Sequence, residues 1–180
     1  GTLHSLRSFR CGLPRALGIT MRHAFKLLLL VLLALQSLTV SAGNFFPPDY
    51  KQFPFKEGDL LASKRSDGKY AVNKILKIDK VVLKVGESIN IQGKSFVAPE
   101  EDYLLIISAA YGESEFETLE QARHAAATGH WKVQIGHTPN RAPGAAAGQT
   151  YIGSAPVAES ELTGYRQWKS AFTKGEAGVF

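Results

Sequence analysis

Sulfur is scarce in this chain: its 180 residues hold one cysteine, Cys11, and one methionine, Met21. Beyond Ala42 there is neither, which excludes a disulfide framework, a thiolate metal site and a thiol nucleophile from residues 43–180. Exported domains need disulfides mainly when they are small. A stretch of this length buries roughly two-thirds of its unfolded surface and can stand on its core as one domain.

An excess of one charge is also missing where it would matter. The whole chain carries 21 Lys and Arg against 16 Asp and Glu, net +5. Five of the basic residues (Arg7, Arg10, Arg15, Arg22, Lys26) precede Gly43 and no acidic residue does, so residues 43–180 hold sixteen of each sign. The basic whole-chain balance would otherwise point to nucleic acid; with the first 42 residues set aside, that reading lapses.

No apolar run reaches the ~20 residues that a bilayer crossing requires. The longest is Leu27–Leu35, nine residues flanked by the basic Met21–Lys26 and by the small residues of Val40-Ser41-Ala42. That order is the pattern of a secretory signal peptide over residues 21–42, cut near Ala42–Gly43. The expectation is a periplasmic or secreted domain with no stable membrane anchor after cleavage. Residues 1–20, ahead of Met21, are read as an upstream extension or artefact outside the fold.

Motifs of chemistry are absent too. There is no Gly-x-Ser-x-Gly; Gly153-Ser154-Ala155-Pro156 lacks the second glycine, and Ser63-Lys64 lacks the two-residue spacing of penicillin-binding proteins. The Gly144–Gly148 loop leads toward a strand rather than the helix a phosphate cradle needs. His130 and His137 flank a strand at an odd spacing, on opposite faces and ~23 Å apart, and cannot share a metal. No cofactor or metal is expected.

What remains reads as α+β. Residues 43–56 form an extended lead-in in which three prolines oppose helix and the phenylalanines dock onto the domain. Residues 57–180 form a single globular domain. Strands are expected at Leu60–Ser63, Tyr70–Ile78 (with a bulge near Lys74, which interrupts the apolar face), Val81–Val85, Ser88–Gln92, Tyr103–Tyr111, Trp131–His137 and Gln149–Gly153. One helix is inserted after Thr118, whose spacing to Gln121 is that of a capping box and which ends at Gly129. Arg141–Gly148 reads as a small-residue loop and Glu159–Thr173 as an amphipathic helix. Strands first and helices late predict a mostly antiparallel sheet.

Two polar groups are candidate binding residues. Glu113, Glu115 and Glu117, if extended, present three carboxylates on one face and suit a basic partner protein; their plainer role is a solvated acidic edge. Pro99-Glu100-Glu101-Asp102 joins them only if the fold brings the two together. His137, beside Asn140 and Arg141, can bind an anion or carboxylate with arginine as the fork, or can be a turn that Asn140 supports.

Glu57-Gly58-Asp59-Leu60-Leu61-Ala62 followed by Gly68-Lys69-Tyr70-Ala71-Val72 resembles the first hairpin of small SH3-like barrel proteins, including bacterial polymorphic-toxin immunity proteins. The resemblance covers residues 57–76. It implies a partly open barrel and a protein partner, and it carries over no functional residue. The function expected first is therefore a protein-binding module, such as an immunity protein neutralising a toxin. A periplasmic accessory domain without ligand follows. A small-ligand-binding or hydrolytic protein using the His137, Asn140 and Arg141 region is the third reading.

Overall fold

The computed structural model describes residues 44–180; the segments read as an extension (1–20) and a signal peptide (21–42) lie outside the described residues. Five strands form one antiparallel sheet in the order β6-β5-β2-β1-β7. They are β1 (Asp59–Lys64), β2 (Tyr70–Leu83), β5 (Asp102–Phe116), β6 (Val133–Arg141) and β7 (Gln149–Ser154). A separate ribbon, β3 (Ser88–Ile91) with β4 (Lys94–Val97), is inserted between β2 and β5. The helices are α1 (Leu119–Thr128), the short α2 (Ala142–Ala146) and α3 (Thr163–Thr173). The α+β class is as expected from the order of elements, and the sheet is open, with β6 and β7 as its edges, rather than closed as a barrel. No helix of the described residues is long and apolar enough to cross a membrane.

Local signals account for several boundaries. Asp67 and Gly68 turn β1 into β2, with Gly68 at φ 88° and the Asp67 carboxylate accepting from the Lys69 N–H. Gln92 and Gly93 both take positive φ (51° and 76°), as a two-residue hairpin of the primed type demands. Thr118 and Gln121 form the reciprocal capping box, and Gly129, in the left-handed region, ends α1.

Three expectations are corrected. Tyr70–Ile78 and Val81–Val85 are not two strands: a single strand runs from Tyr70 to Leu83, because Asp79 and Lys80 stay in register with Ile106 and Leu105 of the long β5. β5 runs five residues past Tyr111, so Glu113 and Glu115 lie on a strand. Arg141–Gly148 is not simply a loop: Pro143 in the first turn and the high helix propensity of alanine make Ala142–Ala146 a helical turn, with Ala142 and Ala145 buried. The irregularity expected near Lys74 is present as register shifts on either side of it, at Ala71/Asn73 and Ile75/Lys77.

Both faces of the sheet are covered. Alternate residues of β5 part the core: Leu104 and Ile106 pack with Phe46, Ile89, Ile91, Trp168 and Val179, whereas Ile107 and Ala109 pack with Leu61, Ile75, Ala142 and Ala145. α1 covers Leu60, Ala62 and Val72 on the first of these faces. The lead-in docks as its aromatics predict: Phe46 is buried in the main core, and Phe53 and Phe55 pack on the opposite face. It is not extended throughout, since Pro48–Lys51 makes one 3-10 turn with its proline at the first position.

Candidate functional site along the sixth strand

β6 is an edge strand, and this explains its content. Pro139 has no N–H to give a neighbouring strand and is tolerated at an edge. The outer side of its C-terminal half is taken by the chain's tail: Phe180 donates its N–H to Pro139 O (2.9 Å), and its carbonyl oxygen accepts from Arg141 N (2.7 Å). Val179, buried, is bridged to Ile91 of the ribbon. The N-terminal half differs. Val133, Gln134, Ile135 and Gly136 are all exposed, Val133 by 52% and Ile135 by 48%.

On the inner side, His137 sits where β6 meets α3. Its Nε2 lies 3.0 Å from Ser108 Oγ of β5. Its ring centroid is 5.7 Å from that of Trp168 and 6.2 Å from that of Tyr165. The helix approaches so closely that a Cβ on Gly164 would stand 2.6 Å from His137 Cβ. Burial holds the His137 imidazole below its ordinary pKa, opposed by the nearby Asp79 charge, so the neutral ring is favoured. A cleft of about 500 Å³ opens beside it, bordered by Val133, Gly136, His137, Glu161, Gln167 and Trp168.

The charges around this cleft are committed. Glu161 holds the buried ammonium of Lys74 through both oxygens (2.8 and 3.0 Å), and the same Nζ donates to Pro156 O (2.9 Å). Asp79 Oδ1 accepts from Lys169 Nζ (2.7 Å) and Tyr165 O–H (3.2 Å), while its buried Oδ2 has no donor among the described residues. Ser108 is fully buried. Among the described residues no carboxylate hydrogen-bonds His137. A Ser–His pair of this kind lacks both the access and the oriented third group of an activated nucleophile; as it stands it braces β5 against β6.

Comparison with protein-family models, with curated proteins and with solved structures finds no match. The assignment of the site therefore rests on its geometry.

The structure separates the residues that the sequence grouped. Asn140 lies on the opposite face from His137, its Nδ2 donating to Tyr111 O–H (3.1 Å) and to Thr138 O (3.0 Å). It supports no turn, because β6 continues to Arg141. Arg141 faces the lead-in: its Nη1 donates to the Tyr50 hydroxyl, its Nε to Phe180 O (3.4 Å), and the guanidinium stands 5.4 Å over the Tyr50 ring.

The three glutamates are each answered locally. Glu117 pairs with Lys69 (2.8 Å) and Glu113 with Lys132 (3.7 Å), whose backbone N–H also donates to Glu115 (3.1 Å). Glu115 borders a shallow groove of α1 together with Glu120, His124 and His130. Glu100 and Asp102 lie at the other end of β5, so the second acidic run does not join the first. Asp102 is buried, ion-paired to Lys51 (2.7 Å) and bonded by the N–H groups of Phe46 and Tyr103. No cluster of His, Cys, Asp and Glu among the described residues can hold a metal ion.

Sequence reasoning missed Ser108, Asp79 and Glu161. Lys74 carried a signal, as a cation on an otherwise apolar strand face. Its partner lies 87 residues away, where no spacing rule reaches.

Proposed function

We propose that this chain is an exported protein-binding domain that takes a strand of its partner along Val133–Gly136. The observation that supports it is the exposed, uncharged edge of β6. Edge strands of natural proteins are blunted by lysine, by proline or by a covering segment. Here proline and the Phe180 tail protect only Pro139–Arg141, and Val133-Gln134-Ile135-Gly136 carries neither a charge nor a proline. An edge of this kind gains main-chain hydrogen bonds from an added strand and contact area from its apolar side chains.

The resemblance of the first hairpin supplies a class for the partner, an exported toxin neutralised by contact. Cells given a neighbouring toxin gene are then expected to survive only with this protein exported, and to die when Ile135→Lys or Gln134→Pro replaces it. Equal killing with and without the wild-type protein rejects the toxin as partner. Equal capture of the partner by wild type and by both edge variants rejects the strand itself.

A further inference from the structure

A second concavity, of about 290 Å³, lies on the lead-in side of β6 and shares no lining residue with the His137 cleft. Its walls are aromatic: Phe45, Phe46 and Tyr50 of the lead-in, and Phe96 of β4. Phe45 and Phe46 are 4.7 Å apart between centroids, and Phe46 stacks on Tyr50 at 6.1 Å and 17°. Two cations, Lys94 and Arg141, also line it, and no aspartate or glutamate is among its residues.

Neither cation is ion-paired to an Asp or Glu side chain among the described residues, although eight other such pairs are formed there. Arg141 is nonetheless held in place. Tyr50 and the Phe180 carbonyl take its Nη1 and Nε, and its other terminal nitrogen has no partner among the described residues. A guanidinium anchored on one side and open on the other, next to stacked rings, is complementary to a small anion carried on an apolar body. No Asp or Glu side chain of the described residues fills that role.

We propose that this pocket binds a small monocarboxylic acid bearing one aromatic ring or a branched acyl group, with its carboxylate between Arg141 and Lys94. The volume of about 290 Å³ lies at the small end of ligand pockets and suits a body of one ring. The site is independent of partner binding at Val133–Gly136.

Amide and arginine side-chain NMR on the full chain tests this, with phenylacetate as probe and phenylacetamide and acetate as controls. Phenylacetate is expected to give saturable shifts at Phe46, Lys94 and the Arg141 guanidinium. Removing the charge (phenylacetamide) or the ring (acetate) weakens binding about tenfold or more. Arg141→Gln and Lys94→Gln are each expected to weaken it, the first more, and Arg141→Lys to retain part of it. Lys94 is exposed on the ribbon, so Lys94→Gln keeps the fold, with an unchanged thermal midpoint, even if Arg141→Gln does not. Absence of saturation at millimolar phenylacetate overturns the proposal. So does equal binding of phenylacetamide, or binding unchanged in Lys94→Gln and in whichever Arg141 variant folds.

Discussion

At the scale of single residues, His137 is the side chain whose environment has the clearest consequence. Its pKa lies below the ordinary value of 6.5 because the ring is buried against α3. The unfolded chain therefore binds a proton more readily than the folded one. Above the unfolded pKa both states are neutral and the stability is fully present; as pH falls below that value, stability is lost until the folded pKa is passed. Melting curves between pH 7 and the folded pKa are expected to show this decline in the wild type, and a flatter profile in His137→Gln. Gly164 belongs to the same contact. Gly164→Ala, which sets a methyl against His137 Cβ, is expected to cost about 1–3 kcal/mol in denaturant unfolding and to reshape the cleft. Little of this was legible in the sequence. Strand alternation put His137 near the end of a strand, but the histidine's neighbours Ser108, Trp168 and Gly164 come from two other elements. Lys74 was the better clue, since an ammonium in an apolar strand demands a partner somewhere.

At the scale of elements, the ends of α1 are legible in the sequence, whereas strand bounds that depend on distant partners are not. Thr118, Gln121 and Gly129 mark both ends of α1 through groups that meet within one turn. Thr118→Ala is accordingly expected to lower stability by about 1 kcal/mol, seen as a shift of the urea midpoint with unchanged slope. The division of β2 into two runs failed for the opposite reason. Asp79 and Lys80 look like the polar tip of a turn, yet Asp79 is held by Tyr165 and Lys169 of α3, some 86 and 90 residues on. Likewise Asn140 resembles a turn residue just past His137, yet β6 runs on to Arg141, because an edge strand accommodates Pro139 and the tail satisfies its neighbours.

At the scale of the whole molecule, the lead-in is part of the fold. Phe46 is buried with Leu104, Ile106 and Trp168, and its N–H donates to Asp102, which also pairs with Lys51. Phe46→Ala is expected to cost about 3–5 kcal/mol in equilibrium unfolding. Burial alone would raise the Asp102 carboxyl; the bond and charge of Lys51 and the N–H groups of Phe46 and Tyr103 outweigh it and leave its pKa below 3.8. With the folded pKa depressed, that contribution is complete above the unfolded value and is lost as pH falls through the folded one. Lys51→Met is expected to move the acid-unfolding midpoint upward, measured by near-ultraviolet dichroism. The fold class was legible because strand and helix periods differ along the chain. The order of the strands was not, because it depends on which distant runs find each other.

That order sets a sequence of events in synthesis. β1 carries Leu60, Leu61 and Ala62, and its outer neighbour is β7. During emergence from a ribosome β1 precedes β7 by more than half the described chain. Until Gln149–Ser154 is out, β1, paired with β2 on one side, stands as an apolar rim with no strand on the other. A chain halted before β7 is left with that rim permanently bare, and such a fragment aggregates where the complete one does not.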